Sequence, residues 1–596
     1  KQALIKITDV TEPSVNDSSN NTFLIRGILN LAAPVSTGLG LVVNSAYNVT
    51  WTKSGIYTPT DTIKVEYSKN DAAYQAMYNV LNQSANAVDA SQGYFSWYVP
   101  DDLSSNIKVK ITRNADTINV PPVISPQVKI IGTLAVTPSP PAGVKWEVNR
   151  TYPIQWTRQG SISNVTLSYS LGGANFTFID YAAGSSGGVG YNWIIPNTPC
   201  IISTNVTIKV SDTSDPATVY NISPVFGIVP RFVITSPVLN QKLNVSRDTA
   251  ITWNSFGWNP AVNIYYSTNN FSGGNGTVLV QANATNNGNY TWAVPDVLSN
   301  NVKIRVSYPV EESAYNDSDI FRMVPGFEVV SPYSSTYDKW QAGRIHQIKW
   351  NCTSANAPNV KIYYSINSGV GYPYLIDSNA SNAGAVNGTR VYNWSVNDTI
   401  TSGFKVKIQD ADSGRSDIAV ESPYNSKIMG YLNVTYPDGN ETFTVNDNFN
   451  LQWDRSGSVP DVKLEISKDD FNTTTVINGS TANDGNYSWN MPDMISTNVR
   501  VRVSDVNDTD AYSISQNYFK IKGSFNVSSP ASGERLPIGY NTTLRWNTTG
   551  NISRVKIVAY SSLGANDTRF GYTPASPYTI NADYSANVGN GQTNYA

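Results

Sequence analysis

A repeat of roughly 100 residues constrains the fold of this chain more than any other feature. Six segments begin alike, with a short apolar stretch that a proline closes, as in FVITSP (232–237) and LNVTYP (432–437). A tryptophan and an alternating stretch such as VKIYYS (360–365) follow, and five segments continue with a second tryptophan and a basic stretch such as VKIRV (302–306). Alternation with period two is typical of half-buried strands, and proline cannot donate to a ladder. The repeat therefore predicts short strands that end at defined turns.

Each unit holds about seven short strands with turn signals between them, which is typical of an immunoglobulin-like sandwich. The predicted fold is all-β, a linear array of immunoglobulin-like β-sandwich domains. Residues 1–26 are predicted to be donor strands that complete a neighbouring domain. Five complete domains are predicted at 27–132, 133–230, 231–326, 327–430 and 431–523, followed by an incomplete sixth at 524–596 that lacks the last two strands.

The recurring tryptophans are expected to fill the cores between the sheets, because they lie in apolar strand patterns. A role in stacking on carbohydrate is the alternative. The tryptophans concerned are Trp51, Trp97, Trp156, Trp193, Trp253, Trp292, Trp350, Trp394, Trp453 and Trp489.

The N-terminal segment resembles the closing strands of a repeat. KQALIKITDV (1–10) matches NNVKIRVSYP (300–309), and NTFLIRG (21–27) matches NYFKIKG (517–523). The two closing strands are the ones that the sixth repeat lacks.

The C-terminal end of the chain stops within the repeat pattern. When Tyr595 is aligned with Tyr290 and Lys1 with Asn300, the two ends together supply a repeat that lacks only the equivalent of residues 292–299. Five sandwiches in series should keep the two ends of one chain apart, so the sequence predicts a head-to-tail homopolymer joined by strand complementation. The alternative is a fragment of a longer repeat protein, whose neighbouring repeats belong to the same polypeptide. The expected subunit interface comprises Ile5, Ile7, Phe23, Ile25, Trp546, Val555 and Ile557.

The composition indicates an exported protein at the cell surface. The 31 Asn-x-Ser/Thr sequons exceed chance, although a chain rich in these residues can form some by accident, and each is a possible acceptor of an N-linked glycan. The first residue is Lys1 rather than methionine, which favours a mature or truncated form. The 41 basic and 44 acidic residues give no field for nucleic acid, and no apolar run is long enough to span a bilayer. The expected glycosylation sites are Asn48, Asn82, Asn149, Asn164, Asn205, Asn244, Asn289, Asn316, Asn379, Asn433, Asn472, Asn486, Asn541 and Asn547.

Four blocks resemble the Ig-like tandem repeats of microbial cell-surface proteins: ITW (251–253), VKIYYS (360–365), NYTWAVPD (289–296) and VKIRVS (302–307). In particular they are similar to the β-sandwich module of the Ser/Thr-rich GPI-anchored cell-wall family. Many sequons with almost no cysteine look more like an archaeal surface protein than an animal secreted one. The resemblance covers nearly the whole chain, implies a surface-located β-sandwich and supplies no catalytic residues.

The sequence offers little for catalysis, and no enzyme activity is expected. One histidine, His346, cannot supply a recurring triad, and Cys200 and Cys352 lack metal-ligand spacing. Acidic loops after the basic strands could bind calcium, although aspartate is also a routine turn residue. The calcium candidates are Asp505, Asp508 and Asp510, with smaller groups at Asp410 and Asp412 and at Asp212 and Asp215. The aspartates after proline at Asp101, Asp296 and Asp493 are expected to form turns, and Asn197 and Asp398 only loosely replace them.

Three functions remain open. The favoured one is a glycosylated structural subunit of an extracellular filament or surface layer. The second is an adhesin or carbohydrate-binding array, with the insertion at 70–90 as the best binding region and the best place for a short helix. The third is a stalk that presents an enzyme outside this sequence.

Overall fold

The computed structural model shows a chain of short β-strands. The chain divides into two compact units, Lys1–Gln241 with Ala250–Trp292 and Asn301–Phe321, and Lys242–Thr249 with Ala293–Asn300 and Arg322–Ala596. In the described residues the helical segments are two single 3-10 turns, and no helix has the length and apolar character needed to cross a bilayer. The structure describes all residues except 1, 56–59, 138–139, 185–189, 274–275, 334–335, 337, 538–539, 541, 554, 560–577, 585–591 and 596.

Residues 2–25 form a separate element, the N-terminal hairpin. Its strands are β1 (Gln2–Ala3), β2 (Lys6–Thr8), β3 (Asn16–Ser18) and β4 (Phe23–Leu24). β1 pairs with β4 and β2 with β3, both antiparallel. Among the described residues, no further strand joins either pair.

The six repeats supply the remaining strands. The first has β5 (Ile28–Ala33), β6 (Gly40–Val42), β7 (Ala46–Ser54), β8 (Thr62–Lys69), β9 (Gln75–Ala76), β10 (Val88–Asp89), β11 (Tyr94–Tyr98), β12 (Ser104–Arg113), β13 (Val123–Ile124) and β14 (Val128–Ile131). The second has β15 (Thr133–Ala135), β16 (Lys145–Glu147), β17 (Thr151–Ile154), β18 (Thr157–Gln159), β19 (Asn164–Ser170), β20 (Thr177–Ala183), β21 (Tyr191–Ile194), β22 (Ser203–Asp212), β23 (Tyr220–Ile222) and β24 (Phe226–Val229). The third has β25 (Arg231–Ser236), β26 (Lys242–Asn244), β27 (Asp248–Phe256), β28 (Ala261–Ser267), β29 (Thr277–Thr285), β30 (Asn289–Ala293), β31 (Ser299–Tyr308), β32 (Glu311–Asp317) and β33 (Phe321–Val324).

The later repeats follow the same order. The fourth has β34 (Phe327–Ser331), β35 (Lys339–Gln341), β36 (Ile345–Cys352), β37 (Asn359–Ser365), β38 (Tyr374–Ser381), β39 (Thr389–Ser395), β40 (Thr401–Asp410), β41 (Ala419–Glu421) and β42 (Ser426–Met429). The fifth has β43 (Tyr431–Tyr436), β44 (Thr442–Thr444), β45 (Asn448–Ser456), β46 (Asp461–Ser467), β47 (Thr475–Ala482), β48 (Asn486–Asn490), β49 (Ser496–Asp505), β50 (Tyr512–Ile514) and β51 (Phe519–Lys522). The sixth has β52 (Ser524–Ser529), β53 (Thr542–Thr549), β54 (Val555–Ala559), β55 (Tyr578–Tyr584) and β56 (Gln592–Tyr595).

The fifth repeat shows the plan of a complete domain. Its small sheet has the order β43-β45-β48, and its large sheet has the order β44-β51-β49-β46-β47, with β50 pairing β49. β44 and β51 pair in parallel. Alternation places Val499, Val501 and Val503 on one face of β49, where all three are fully buried in one cluster with Leu451 and Trp453 of the small sheet. The core therefore lies between the two sheets.

The other repeats vary this plan slightly. The fourth has the sheets β34-β36-β39 and β35-β42-β40-β37-β38, the second divides its small sheet into β15–β18 and β17–β21, and the first adds β9 and β10 to its large sheet. In the third, β25 pairs with β27, β28 lies between β29 and β31, and β26 pairs in parallel with β33. The prediction of an all-β array of immunoglobulin-like sandwiches is confirmed.

The insertion at 70–90 contains little helix. It forms β9, a single 3-10 turn at Ala85–Ala87 and β10, and both strands pair with β8. The expected short helix is therefore one turn.

The described part of the sixth repeat has the sheets β52-β53-β56 and β54-β55. Tyr595 faces Thr542, four residues before the strand tryptophan, which is the register that Trp489 takes opposite Phe449 in the fifth repeat. The alignment of Tyr595 with Tyr290 is therefore wrong by two residues, because Tyr290 stands two places before its own tryptophan.

Candidate assembly interface

The N-terminal hairpin has the internal pairing of the closing strands of a repeat. Ser19 donates its amide to the carbonyl of Ile5 at 2.8 Å, and Ser19 Oγ accepts the amide of Ile5 at 3.2 Å. In the fifth repeat, Ser515 and Val501 make the same two bonds at 3.0 and 3.3 Å. The hairpin therefore reproduces a detail of the complete domain that sequence matching had not used.

One constant difference in residue number relates the two ladders. Ala3 faces Phe23 as Val499 faces Phe519. The three β2–β3 pairs correspond in the same way to the three β49–β50 pairs: Lys6–Ser18 to Arg502–Ile514, Ile7–Asp17 to Val503–Ser513, and Thr8–Asn16 to Ser504–Tyr512. Every pair is shifted by the same amount, so the hairpin has the register of β49, β50 and β51.

The hairpin differs from the closing strands of a complete repeat in its exposure. Ile5 and Ile7 are 56% and 74% exposed, whereas Val501 and Val503 at the matching positions are fully buried. Phe23 and Ile25 follow the same contrast, being 41% and 56% exposed, and their counterparts in β51 are buried. The hairpin thus exposes apolar side chains at positions that a complete repeat buries.

The sixth repeat presents a complementary apolar face. Phe525 and Val527 on β52 are 51% and 63% exposed, whereas Leu432 and Val434 at the matching positions of β43 are buried. Among the described residues β54 pairs with β55 alone, whereas its counterpart β46 pairs with β47 and β49. The edge that β49 occupies in the fifth repeat has no described partner in the sixth.

The remaining residues of the expected interface lie in this repeat. Trp546 is buried on β53 and Val555 is half-buried at the start of β54. Ile557 lies on β54, and its side chain is outside the described part of the structure.

Consecutive repeats meet at joints that the sequence did not reveal. At each joint the acidic or amide side chain of the turn after the second tryptophan accepts a backbone amide of the next repeat, as Asp398 does from Ser458 at 2.6 Å. The other bonds are Asp101 from Ser161 at 2.8 Å, Asn197 from Gly257 at 2.6 Å, Asp296 from Ala355 at 2.8 Å and Asp493 from Asn551 at 2.8 Å. These side chains therefore connect repeats as well as standing in turns, and their recurrence was the signal available in the sequence.

Ion pairs form a second part of four joints. A basic residue on the parallel strand pair of one repeat contacts an acidic residue that follows the long strand of the next. The pairs are Lys129–Asp215 (2.7 Å), Lys145–Glu311 (2.9 Å), Lys242–Asp417 (2.8 Å), Arg322–Asp417 (2.5 Å), Lys339–Asp510 (2.7 Å), Lys427–Asp508 (2.5 Å) and Lys427–Asp510 (2.8 Å). The acidic loops thus have partners in the preceding repeat.

These contacts lower the pKa of Asp417 and Asp510. Hydrogen bonds from Arg322 and then Lys242 hold the pKa of Asp417 well below its usual range. The two lysines of the fourth joint, Lys339 first, lower the pKa of Asp510 to about 2. Asp417 and Asp510 therefore remain ionised in mild acid, and their ion pairs persist there.

Two of the three main calcium candidates take part in these ion pairs, and the third bonds within its own turn. Asp508 and Asp510 face Lys427, and Asp505 accepts the amide of Asn507 at 2.8 Å. The lysine supplies the positive charge that a cation would bring. Among the described residues, no group of three His, Cys, Asp or Glu side chains is placed to hold a metal ion.

The tryptophans lie in the cores. All the expected core tryptophans except Trp489 are buried, and Trp489 is half-buried against the core of the fifth repeat. In three repeats the indole of the first tryptophan donates to an asparagine side chain that follows the next strand hairpin. These bonds are Trp253–Asn286 (2.8 Å), Trp350–Asn382 (2.8 Å) and Trp453–Asn483 (2.7 Å).

The expected glycosylation sites lie mainly at the surface. Asn316 and Asn433 are half-buried, and Asn541 lies outside the described residues. The exposed ones are Asn48, Asn82, Asn149, Asn164, Asn205, Asn244, Asn289, Asn379, Asn472, Asn486 and Asn547.

Comparison with known proteins gives weak similarities to tandem-domain structures. No family model and no curated protein matches the chain. It is similar to the N-terminal eight Ig domains of Down Syndrome Cell Adhesion Molecule, at 9% identity over 92% of this chain and 80% of that chain, with a TM-score of 0.17. It is similar to the ICAM-5 D1–D4 ectodomain fragment at 11% identity over 68% of this chain and 100% of that chain, with a TM-score of 0.21. It is also similar to the fibronectin(III)-like modules of Clostridium thermocellum CbhA at 14% identity over 33% of this chain and 93% of that chain, with a TM-score of 0.13. At these scores the fold rests on the strand pairing itself.

Proposed function

We propose that this chain is a glycosylated structural subunit of an extracellular filament or surface layer. Subunits join head to tail, and residues 1–26 of one copy complete the repeat at 524–596 of the next. One observation carries the proposal: the N-terminal hairpin keeps the register of the closing strands of a repeat and exposes the side chains that such strands bury. Addition of strands to an open sheet edge is a known mode of recognition, and a head-to-tail contact propagates when it does not close.

Burial of the exposed apolar side chains favours such a contact. Full burial of a side chain such as Ile5, Ile7, Phe23 or Ile25 contributes about 1.5–3 kcal/mol. The four together are of the same order as the roughly 4–15 kcal/mol that association costs. Phe525 and Val527 of the sixth repeat and the backbone hydrogen bonds of the new sheet edge add to this sum.

The test uses the purified full chain and a matched pair of substitutions. Ile7→Asp places a charge in the proposed core and should abolish polymers seen by electron microscopy and sedimentation. Val10→Asp is the control, because Val10 is 93% exposed and its counterpart Val506 is itself 43% exposed in a complete repeat. Circular dichroism checks that both variants fold. Polymers of unchanged length for Ile7→Asp would refute the proposal.

The fragment alternative has its own measurement. Intact mass after removal of glycans, with sequencing of both ends, distinguishes discrete subunits from one longer polypeptide. Glycopeptide mapping of the same sample tests the glycans, which the exposure of most expected sites supports. A sample without any modified sequon would remove glycosylation from the proposal.

The insertion of the first repeat favours an adhesive role as a second candidate. Tyr78, Val80 and Leu81 are 45%, 73% and 73% exposed on one short loop. Replacing Val80 and Leu81 with glutamine should lower attachment to cells or immobilised glycans and leave polymer length unchanged. Unchanged attachment would count against this role.

A further inference from the structure

The ion pairs of the joints follow one positional rule. The basic residue lies on the parallel strand pair of a repeat, as Lys427 does opposite Lys339. The acidic residue follows the long strand of the next repeat, where Asp508 accepts from Lys427 at 2.5 Å. The rule holds from the first repeat to the fifth.

In the fifth repeat the basic residue of this position is Lys520. It lies opposite Thr442 on the parallel strand pair, in the register of Lys427 opposite Lys339. Lys520 is exposed, and among the described residues no carboxylate lies within ion-pair distance of its ammonium group.

Glu12 of the N-terminal hairpin has the position of the acidic partner. Val15 donates its amide to the carbonyl of Glu12 at 2.9 Å, as Ala511 does to that of Asp508 at 3.1 Å. The loops before these residues also agree. Thr11 donates its amide to Asp9 Oδ1 at 2.8 Å, as Asn507 donates its amide to Asp505 Oδ1 at 2.8 Å.

The side chain of Glu12 is arranged like a joint carboxylate whose partner is known. Ser14 Oγ donates to Glu12 Oε1 at 2.5 Å, as Ser313 Oγ donates to Glu311 Oε1 at 2.5 Å. The other oxygen of Glu311 accepts from Lys145 at 2.9 Å. Among the described residues, no basic side chain lies within ion-pair distance of the corresponding oxygen of Glu12.

We propose that Glu12 of one copy pairs with Lys520 of the copy whose sixth repeat it completes. This inference rests on the proposed function, because it places the hairpin of a second copy on the sixth repeat. The pair would make the joint between the fifth and sixth repeats equivalent to the earlier ones. Since exposed ion pairs add little affinity, its main effects would be on the register of docking and on the dependence of assembly on salt.

Charge exchange tests the pair. Glu12→Lys and Lys520→Glu each place like charges together, and each should raise the protein concentration needed for assembly about fivefold to tenfold at low salt. Combining them, or mixing the two single variants, should restore assembly to within about twofold of the original chain, since the opposite charges then meet again. Lys522→Glu combined with Glu12→Lys is the control that should not restore it, because Lys522 lies outside the matched position.

The outcomes separate this inference from the proposed function. Single variants that assemble like the original chain, or a double variant that is not restored, would overturn the pair while filaments still form. Failure of the unmodified chain to assemble, with no difference between Ile7→Asp and Val10→Asp, would overturn both.

Discussion

Asp17 faces Ile7 across the N-terminal hairpin in the register that Ser513 takes opposite Val503 in the fifth repeat. Ser513 Oγ accepts the amide of Val434 from the facing sheet at 3.0 Å. At the same place Asn221 accepts from Val136 and Asn316 from Ile234, both at 2.9 Å. Asp17 therefore places a hydrogen-bond acceptor at the position from which three complete repeats accept a backbone amide of the facing sheet.

This relationship predicts that Asp17 accepts the amide of Val527 in the assembled state. Asp17→Ala should weaken assembly, because it leaves that amide without its partner, at a cost of about 1–3 kcal/mol. Asp17→Ser is the control and should be tolerated, since Ser513 fills this position in the fifth repeat. Sedimentation against protein concentration measures both, and equal weakening would contradict the prediction.

Gly457, at the joint between the fourth and fifth repeats, is expected not to tolerate a side chain. Its φ is +92°, and an added Cβ would lie 3.0 Å from Cβ of Ala342 and 3.4 Å from Cα of Gly430. Gly457→Ala should lower the free energy of unfolding by about 1–3 kcal/mol. The positive φ is strained for alanine, and the added methyl group would crowd Ala342. Gly479→Ala, with no atom within 4 Å of the added carbon, is the control. Thermal unfolding compares the two, and equal midpoints would contradict the prediction.

The buried hydrogen bond between Trp453 and Asn483 is expected to contribute to the stability of the fifth repeat. Asn483 is 4% exposed and accepts from the indole at 2.7 Å. Asn483→Ala should destabilise the fifth repeat by about 1–3 kcal/mol, since the indole N–H is left unpaired. The exposed Asn490→Ala should change little. Denaturant unfolding measures the difference, and a neutral Asn483→Ala would show that water replaces the amide.

Asp510 predicts a pH dependence of the fourth joint. Hydrogen bonds from Lys339 and Lys427 lower its pKa from 3.8 to about 2. The pKa of Asp510 is lower in the folded chain than in the unfolded chain. The ionised Asp510 therefore stabilises the fold above about pH 4, and this stabilisation is lost as the pH falls toward 2. The original chain should therefore unfold at a higher temperature than Asp510→Asn at neutral pH, with the gap closing between pH 4 and 2. A gap that persists at pH 2 would contradict the assignment.

Much of the fold could be predicted from local pattern. Alternation around Val501 and the recurring tryptophans indicated strands and a core, and the match of residues 1–10 to 300–309 pointed to the hairpin. The long-range geometry could not be predicted in this way. Asp398 reads as a turn residue, because its bond to Ser458 spans a joint that local pattern does not describe. Likewise local pattern could not show that Asp508 and Asp510 face a lysine of the preceding repeat.

The hairpin holds its own backbone hydrogen bonds before it meets another copy. A flexible tail would have to be ordered as it docked, and that ordering would oppose binding. In the proposed assembly, a segment whose strands are already paired would need less ordering when it docks on another copy. Addition of a subunit to the proposed filament would then depend more on encounter and orientation than on folding of the hairpin.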